Sequence, residues 1–147
     1  MSKFILAFLS GIFFTFILDF FLFLGIKLNY IDYYEIDVYY NILFADHQSI
    51  IAYALSTLIL GYITIYIDNN KLSAIVLGVL FFIVSLTLIP PIGKSVGTML
   101  LMQKNVTLKD HRYTYKGDIY YEGRENITFY DYDLDKIITL EKKDLKQ

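Results

Sequence analysis

Hydrophobic positions fill three long stretches of the chain and alternate with polar positions only in its last third. Residues 4–26 contain a single charged side chain, Asp19, and residues 50–67 and 72–92 contain none. A helix needs about 20 mainly apolar residues to cross the ~30 Å hydrocarbon core of a bilayer. The pattern therefore predicts a polytopic membrane protein with three transmembrane helices, at about 4–26, 49–67 and 72–92.

The same pattern divides the chain into two regions. Residues 1–102 are predicted to form the transmembrane region, with a surface loop at 28–48 and an interfacial linker at 93–102. Residues 103–147 are predicted to form a small β-rich domain outside the membrane. A domain of this size buries only a small core, so we expect it to lean on the membrane, on the helices or on a partner.

The β-rich region alternates apolar and polar side chains in short runs, which are separated by clusters of Gly, Asp and Asn. Such runs are typical of strands joined by tight turns. The predicted class is a small antiparallel domain, an SH3-like or OB-like meander or barrel. Its strands are predicted at 106–108, 113–115, 119–121, 127–130 and 137–140, with turns at 116–118, 122–126 and 131–135.

Charges near the predicted spans suggest an orientation. The loop 28–48 contains no Lys or Arg and carries four carboxylates, a composition that suits the translocated side of a membrane. This predicts a multi-pass protein of the plasma (bacterial inner) membrane, with the N-terminus in the cytoplasm and the β domain outside. Lys27 and the lysines that follow the third span favour the opposite orientation, but we give the lysine-free loop more weight.

Small and polar residues recur at helical spacing inside the predicted spans. Lipid gives helices no hydrophobic reason to associate, so positions that permit close backbone approach or hydrogen bonding mark the packing surfaces. We interpret these positions as the small-residue seam of a three-helix bundle, or alternatively as a seam that faces another subunit. The seam consists of Ala7, Gly11, Thr15, Asp19, Thr57, Gly61, Thr64 and Gly78.

Asp19 requires a separate explanation, because a carboxyl group inside a span costs a few kcal/mol and is a functional candidate by default. A structural role would have it protonated, hydrogen-bonded to Thr57 or Thr64, or close enough to the interface to stay hydrated. The functional alternatives are pairing with a basic residue of a partner, or proton or cation transport. We favour the structural role, since the three spans contain no other charged residue.

The composition offers little support for catalysis. The chain has no cysteine, which excludes disulfides and thiolate chemistry, and its net charge of −2 gives no basis for nucleic-acid binding. His47 and His111 lie far apart in the sequence, and neither belongs to a recognisable catalytic arrangement. We predict a non-enzymatic protein with no catalytic residue, no cofactor, no metal site and no nucleic-acid partner.

Three short segments resemble known sites but lack essential parts. Asp46 and His47 are better suited to capping the second span than to binding a metal, because no third ligand is defined. Residues 93–95 read Gly-Lys-Ser, but a phosphate-binding loop needs a glycine where Leu88 stands. The acidic turn 131–135 alternates as calcium loops do, yet it lacks the glycine and closing glutamate of that motif.

Tyrosines provide the candidate docking surface of the predicted β domain. They could present an aromatic face to a peptide, a glycan or the membrane, or they could fill a core that has few aliphatic residues. We favour core packing and membrane proximity. The residues concerned are Tyr113, Tyr115, Tyr120, Tyr130 and Tyr132.

Three functional classes follow from these observations. The preferred hypothesis is a non-catalytic accessory, assembly or scaffold subunit of a larger membrane complex, with the β domain as its docking module. The alternatives are a membrane immunity or phage-exclusion protein and a small oligomeric transporter or channel that uses Asp19. The expected partners are the lipid bilayer and either other membrane proteins or further copies of the chain.

Overall fold

The computed structural model describes residues 2–145, in which five α-helices precede a four-stranded antiparallel sheet. A π-helical turn extends the first helix, and 3-10 turns follow α4 and the last strand. The helices are α1 (Lys3–Ile26), α2 (Tyr40–His47), α3 (Ile50–Ile65), α4 (Asn70–Ser85) and α5 (Pro90–Leu101). The strands are β1 (Gln103–Lys109), β2 (Thr114–Glu122), β3 (Asn126–Asp131) and β4 (Lys136–Glu141).

Two helical segments are long and apolar enough to cross a membrane. They are Lys3–Ile31, which includes α1, and Asn70–Leu88, which includes α4. The predicted second span contains α3, which has 16 residues and qualifies only when joined to α2 across an 85° bend. These lengths are compatible with the predicted membrane location for two or three of the helices.

Proline places a helix boundary where the sequence analysis expected a linker. We predicted that the third span ends at residue 92 and that an interfacial linker follows. Instead the helical segment ends at Leu88, and Pro90 and Pro91 occupy the first turn of α5. Proline lacks a backbone N–H group. This lack costs nothing in the first turn of a helix, because backbone N–H groups at that position have no hydrogen-bond partner inside the helix.

The closest helix packing joins α1 to α3. Gly11 lies against the backbone carbonyl of Thr57, and Gly61 lies against the backbone carbonyl of Ala7, so a methyl group at either glycine would overlap the facing helix. Thr15 is buried beside this contact. Five predicted seam residues therefore lie at one helix–helix contact, where the two backbones approach without intervening side chains.

The middle of α4 does not complete a tight three-helix bundle. Ser73, near the start of α4, is its buried residue and donates a hydrogen bond to the Ile63 carbonyl at 2.7 Å. Near its end, the rings of Phe81 and Phe21 lie 4.9 Å apart. Between these points, a methyl group added at Gly78 would meet no atom of another described element within 4 Å. Gly78 therefore lies at no close helix contact among the described residues, and the alternative that it faces another subunit stays a prediction.

The sheet has one strand fewer than expected. The predicted turn at 116–118 is part of β2, so the predicted strands 113–115 and 119–121 are one continuous strand. Gly117 pairs with Val106 on one side and with Asp131 on the other, and a side chain there would overlap the Tyr130 carbonyl. Glycine is needed at this position for close approach of strands, not for a turn.

The predicted barrel is an open sheet in residues 2–145. Its strand order is β1-β2-β3-β4, and an isolated bridge between Asp110 and Leu145 connects the end of β1 to the segment after β4. Ile119, Ile127 and Phe129 form a small buried core on one face. The alternating pattern that predicted strands therefore corresponds to one face of the sheet, which is buried by side chains of the sheet region itself.

The other face of the sheet packs on the helices. An irregularity between Ile119 and Tyr121 leaves one extra residue, Tyr120, in β2 opposite β3. This bulge reverses the alternation, so Tyr121 leaves the small core and enters a cluster that includes Tyr30 and Leu101. The helices are therefore the main support on which the small sheet leans.

The α1–α3 contact predicts a clear difference among glycine substitutions. Gly11→Ala and Gly61→Ala should each cost about 1–3 kcal/mol of stability, because the new methyl group overlaps backbone atoms. Gly78→Ala is the matched control and should be neutral or stabilising by about 0.5–1 kcal/mol, because alanine is the better helix former. Titration with SDS in dodecyl maltoside micelles, followed by circular dichroism, measures all three, and equal losses would contradict the packing.

Candidate docking surface

A buried tyrosine joins the helices to the sheet. Tyr30 is 0% exposed, and its hydroxyl donates a hydrogen bond of 2.7 Å to the Tyr120 carbonyl at the bulge. Gly97 allows α5 to lie directly against the Tyr30 ring, where any side chain would overlap it. The position of the sheet is thus specified by apolar burial together with one directional hydrogen bond.

Ion pairs surround this junction. Arg124, in the turn between β2 and β3, binds the Asp46 carboxylate at the end of α2 through two nitrogens, with N–O distances of 2.6, 2.8 and 3.0 Å. These hydrogen bonds lower the pKa of Asp46. Lys142 lies 2.7 Å from Glu122, and this hydrogen bond likewise lowers the pKa of Glu122. The first pair ties the sheet to the helices, whereas the second lies within the sheet region.

Two buried polar atoms at the junction have no hydrogen-bond partner in residues 2–145. They are Nε2 of His47 and the hydroxyl oxygen of Tyr121, on rings whose centroids are 5.3 Å apart. Tyr121 is only 4% exposed, and its burial raises the pKa of its hydroxyl. The phenol therefore remains protonated at neutral pH and can both donate and accept a hydrogen bond.

The structure corrects the expected role of Asp46. We predicted that Asp46 and His47 cap the second span, but Ser49 is the residue whose side chain accepts from the first turn of α3, at Ala52. Asp46 binds Arg124 instead. Residues 2–145 contain no cluster of three or more His, Cys, Asp or Glu side chains that could hold a metal ion.

Five tyrosines form a continuous series of ring contacts across the junction, which we call the aromatic row. Successive ring centroids are 4.9, 4.4, 5.9 and 6.1 Å apart, and the Tyr120 and Tyr130 rings are nearly parallel. The Lys94 ammonium group lies 3.5 Å from the centroid of the first ring. In spatial order the row is Tyr33, Tyr34, Tyr120, Tyr130 and Tyr132.

Hydrogen bonds hold the far end of the aromatic row in place. The Tyr132 hydroxyl donates to Asp118 at 2.6 Å, and the Tyr130 hydroxyl donates to Asp135. Asp118 also accepts from the backbone N–H of Asn105 at 2.9 Å. Both rings are therefore held in one orientation by the chain itself.

The predicted docking set is divided between two faces of the sheet. Tyr120, Tyr130 and Tyr132 belong to the aromatic row, whereas Tyr115 packs against the small core on the opposite face. Tyr113 is exposed next to Tyr115. Local sequence patterns in the β domain do not reveal the full row, because its remaining members come from other segments of the chain.

Tyr33 and Tyr34 follow the π-helical turn, and Lys94 lies in α5. Periodicity along the sequence does not place the loop and the β domain on one surface. The local sequence marks Tyr33 and Tyr34 only as a doublet in a loop rich in carboxylates, and the same loop holds a second doublet, Tyr39 and Tyr40, that lies outside the row.

A cleft of about 510 Å³ opens beside the aromatic row, between the segment 36–42 and the sheet. Thr128 and Thr139, which pair across β3 and β4, line it from the sheet. Thr128 is two residues from Tyr130 on the same strand, so both side chains lie on the same face. The aromatic row and the cleft therefore form adjacent parts of one surface.

Asp19 has a different partner from those that we predicted. Gln48 donates a hydrogen bond to its carboxylate at 2.8 Å, from the segment between α2 and α3. Thr57 donates to Thr15 at 3.5 Å, and the Thr64 hydroxyl donates to carbonyls of its own helix. Asp19 thus joins α1 to the start of α3 instead of bonding deeper within the seam.

Comparison with known proteins finds no matching family model, no matching curated protein and no matching solved structure.

The ion pair between Asp46 and Arg124 makes the attachment of the sheet sensitive to acid. Because the folded-state pKa of Asp46 lies below its ordinary value, this stabilisation is present at neutral pH and is lost as the pH falls through the folded value. Spin labels at Asp68→Cys and Asn126→Cys should show a distance distribution that broadens below about pH 4. The chain has no native cysteine to interfere.

Arg124→Gln should broaden the same distribution already at pH 7 and reduce its dependence on pH. Lys143→Gln is the matched control, because it removes an ion pair with Glu141 that does not reach the helices. A distribution that is unchanged in Arg124→Gln would show that the ion pair does not hold the sheet.

The bond from Gln48 predicts how Asp19 tolerates substitution. Asp19→Asn should change stability by less than about 0.5 kcal/mol, because the amide oxygen can still accept from Gln48. Asp19→Leu should cost about 1–3 kcal/mol, since it leaves a part-buried amide without its partner. The SDS titration measures both, and a loss of biological activity in a stable Asp19→Asn protein would favour transport or pairing with a basic residue of a partner.

Proposed function

We propose that the protein is a non-catalytic accessory subunit that is anchored in the membrane and docks another membrane protein on the aromatic row and the adjacent cleft. The observation that carries this proposal is the row itself. It is assembled from the loop before α2 and from two strands, and a lysine from α5 is stacked on it.

The exposure of the row suits a protein–protein interface. Tyr33 is 61% exposed and Tyr132 is 46% exposed, whereas Tyr120 and Tyr130 between them are partly buried. Tyrosine is enriched at interfaces because it supplies a large contact area and a polar hydroxyl while losing little side-chain entropy. Rings that are already fixed by hydrogen bonds and stacking favour one orientation of a partner.

The proposed location is the plasma membrane, with the loop and the sheet on the same side. The cluster that joins Ile36 and Leu43 of the loop region to Tyr121 of the sheet requires both to lie at one end of the helices. Three spans place the loop and the sheet on the same side of the membrane, and the side that we propose is the external one. The bond between Asp19 and Gln48 supports a structural role for the intramembrane carboxyl group.

Site-specific photo-crosslinking in native membranes tests the proposal. With p-benzoylphenylalanine at Tyr33 or at Tyr132, we expect crosslinks to the same protein, because both positions border one surface. The probe at Tyr113 is the control, since this residue is 63% exposed but lies outside the row. Mass spectrometry identifies the crosslinked species.

The partner must also depend on the row for binding. Tyr33→Ala combined with Tyr132→Ala should reduce co-purification of the crosslinked protein, and Tyr113→Ala should not. Equal crosslinking from Tyr113, or no crosslink from either position in the row, would contradict the docking function. A crosslink to a second copy of the chain would replace the accessory role with self-association.

A further inference from the structure

The cleft beside the aromatic row carries an excess of negative charge. Asp37 and Glu125 line it, and neither side chain has an ion-pair partner in residues 2–145. Arg124 also borders the cleft, but its guanidinium group is already bound to Asp46. The cleft therefore offers two carboxylates to a cation and no free cation to an anion.

A buried hydroxyl group lies at the same place. Tyr121 lines the cleft, one edge of its ring lies against Gly123, and its hydroxyl group is buried. That hydroxyl has no hydrogen-bond partner in the described part of the chain. A buried polar group without a partner costs free energy, and such groups often lie where a ligand binds.

The wall of the cleft that faces the sheet is largely apolar. Ile36, Val38 and Ile42 line the helical side, and Tyr39 stands at the entrance with 73% of its surface exposed. An aliphatic chain that ends in a cationic group fits this combination, because the chain contacts the apolar wall and the cation meets the carboxylates. An exposed aromatic ring at the entrance adds a surface on which a guanidinium group can stack.

We propose that this cleft receives a basic side chain, preferably arginine, from the partner protein that docks on the aromatic row. The inference rests on the proposed docking function and names the chemistry of its partner. Arginine is preferred to lysine because its planar group forms paired hydrogen bonds with carboxylates and stacks on aromatic rings. An acidic segment is excluded, since it would face Asp37 and Glu125.

Binding of short peptides to the full chain in phosphatidylcholine nanodiscs tests this inference. The probe is a five-residue peptide with a central arginine, flanked by isoleucine and threonine and carrying a neutral fluorophore, and fluorescence anisotropy reports its binding. The matched peptide carries citrulline, which has the shape of arginine without its charge. We expect the citrulline peptide to bind at least about tenfold more weakly, with the lysine peptide between the two.

Substitutions in the cleft should reproduce this loss. Asp37→Asn combined with Glu125→Gln should weaken binding of the arginine peptide by about tenfold and leave binding of the citrulline peptide unchanged. Asp68→Asn combined with Asp133→Asn is the control, because it changes the net charge equally without touching the cleft.

Tyr121→Phe separates binding from folding. The hydroxyl makes no hydrogen bond within residues 2–145, so its removal should leave stability unchanged or raised, while the arginine peptide binds about threefold more weakly. A lower stability, with no effect on binding, would show that the hydroxyl is only structural.

Two results would overturn the inference. One is equal binding of the arginine and citrulline peptides, and the other is no saturable binding of the arginine peptide. Neither result bears on the crosslinks from Tyr33 and Tyr132, so a failure of the cleft is distinguishable from a failure of the docking function. An equal loss in the control pair would assign the effect to net charge alone.

Discussion

The bulge at Tyr120 is the local feature on which the rest of the structure depends. In a regular strand, Ile119 and Tyr121 would point to the same face. One extra residue between them sends Ile119 into the small core of the sheet and Tyr121 into the core shared with the helices. A four-stranded sheet of this size can thus bury apolar groups on both faces, which compensates for its small core.

Burial, not charge, dominates the attachment of the sheet. Complete burial of one large apolar side chain contributes about 1.5–3 kcal/mol, and Tyr30 and Tyr121 are both almost fully buried at the junction. An exposed ion pair such as that between Arg124 and Asp46 contributes little, because water screens both charges. We therefore assign the strength of the attachment to the aromatic residues, and its orientation to the ion pair and the Tyr30 hydrogen bond.

The same attachment creates the proposed docking surface. Tyr34 and Tyr120 come from segments that are distant in the sequence, and their rings meet at 4.4 Å only because the sheet lies on the π-helical turn. The cleft has the same origin, since one wall belongs to the segment before α2 and the other to the sheet. Any partner that binds across both walls would also stabilise the contact between sheet and helices.

The sequence by itself determined the apolar helices and most of the strands, because a period of 3.6 or 2 is recorded in neighbouring residues. It also located Gly11 and Gly61, because a residue without a side chain is what allows two apolar helices to pack closely. Tertiary structure decided that Gly117 lies within a strand, that Gln48 binds Asp19, and that Tyr34 stacks on Tyr120. These pairings join segments far apart in the chain, and local periodicity contains no information on which distant residues will meet.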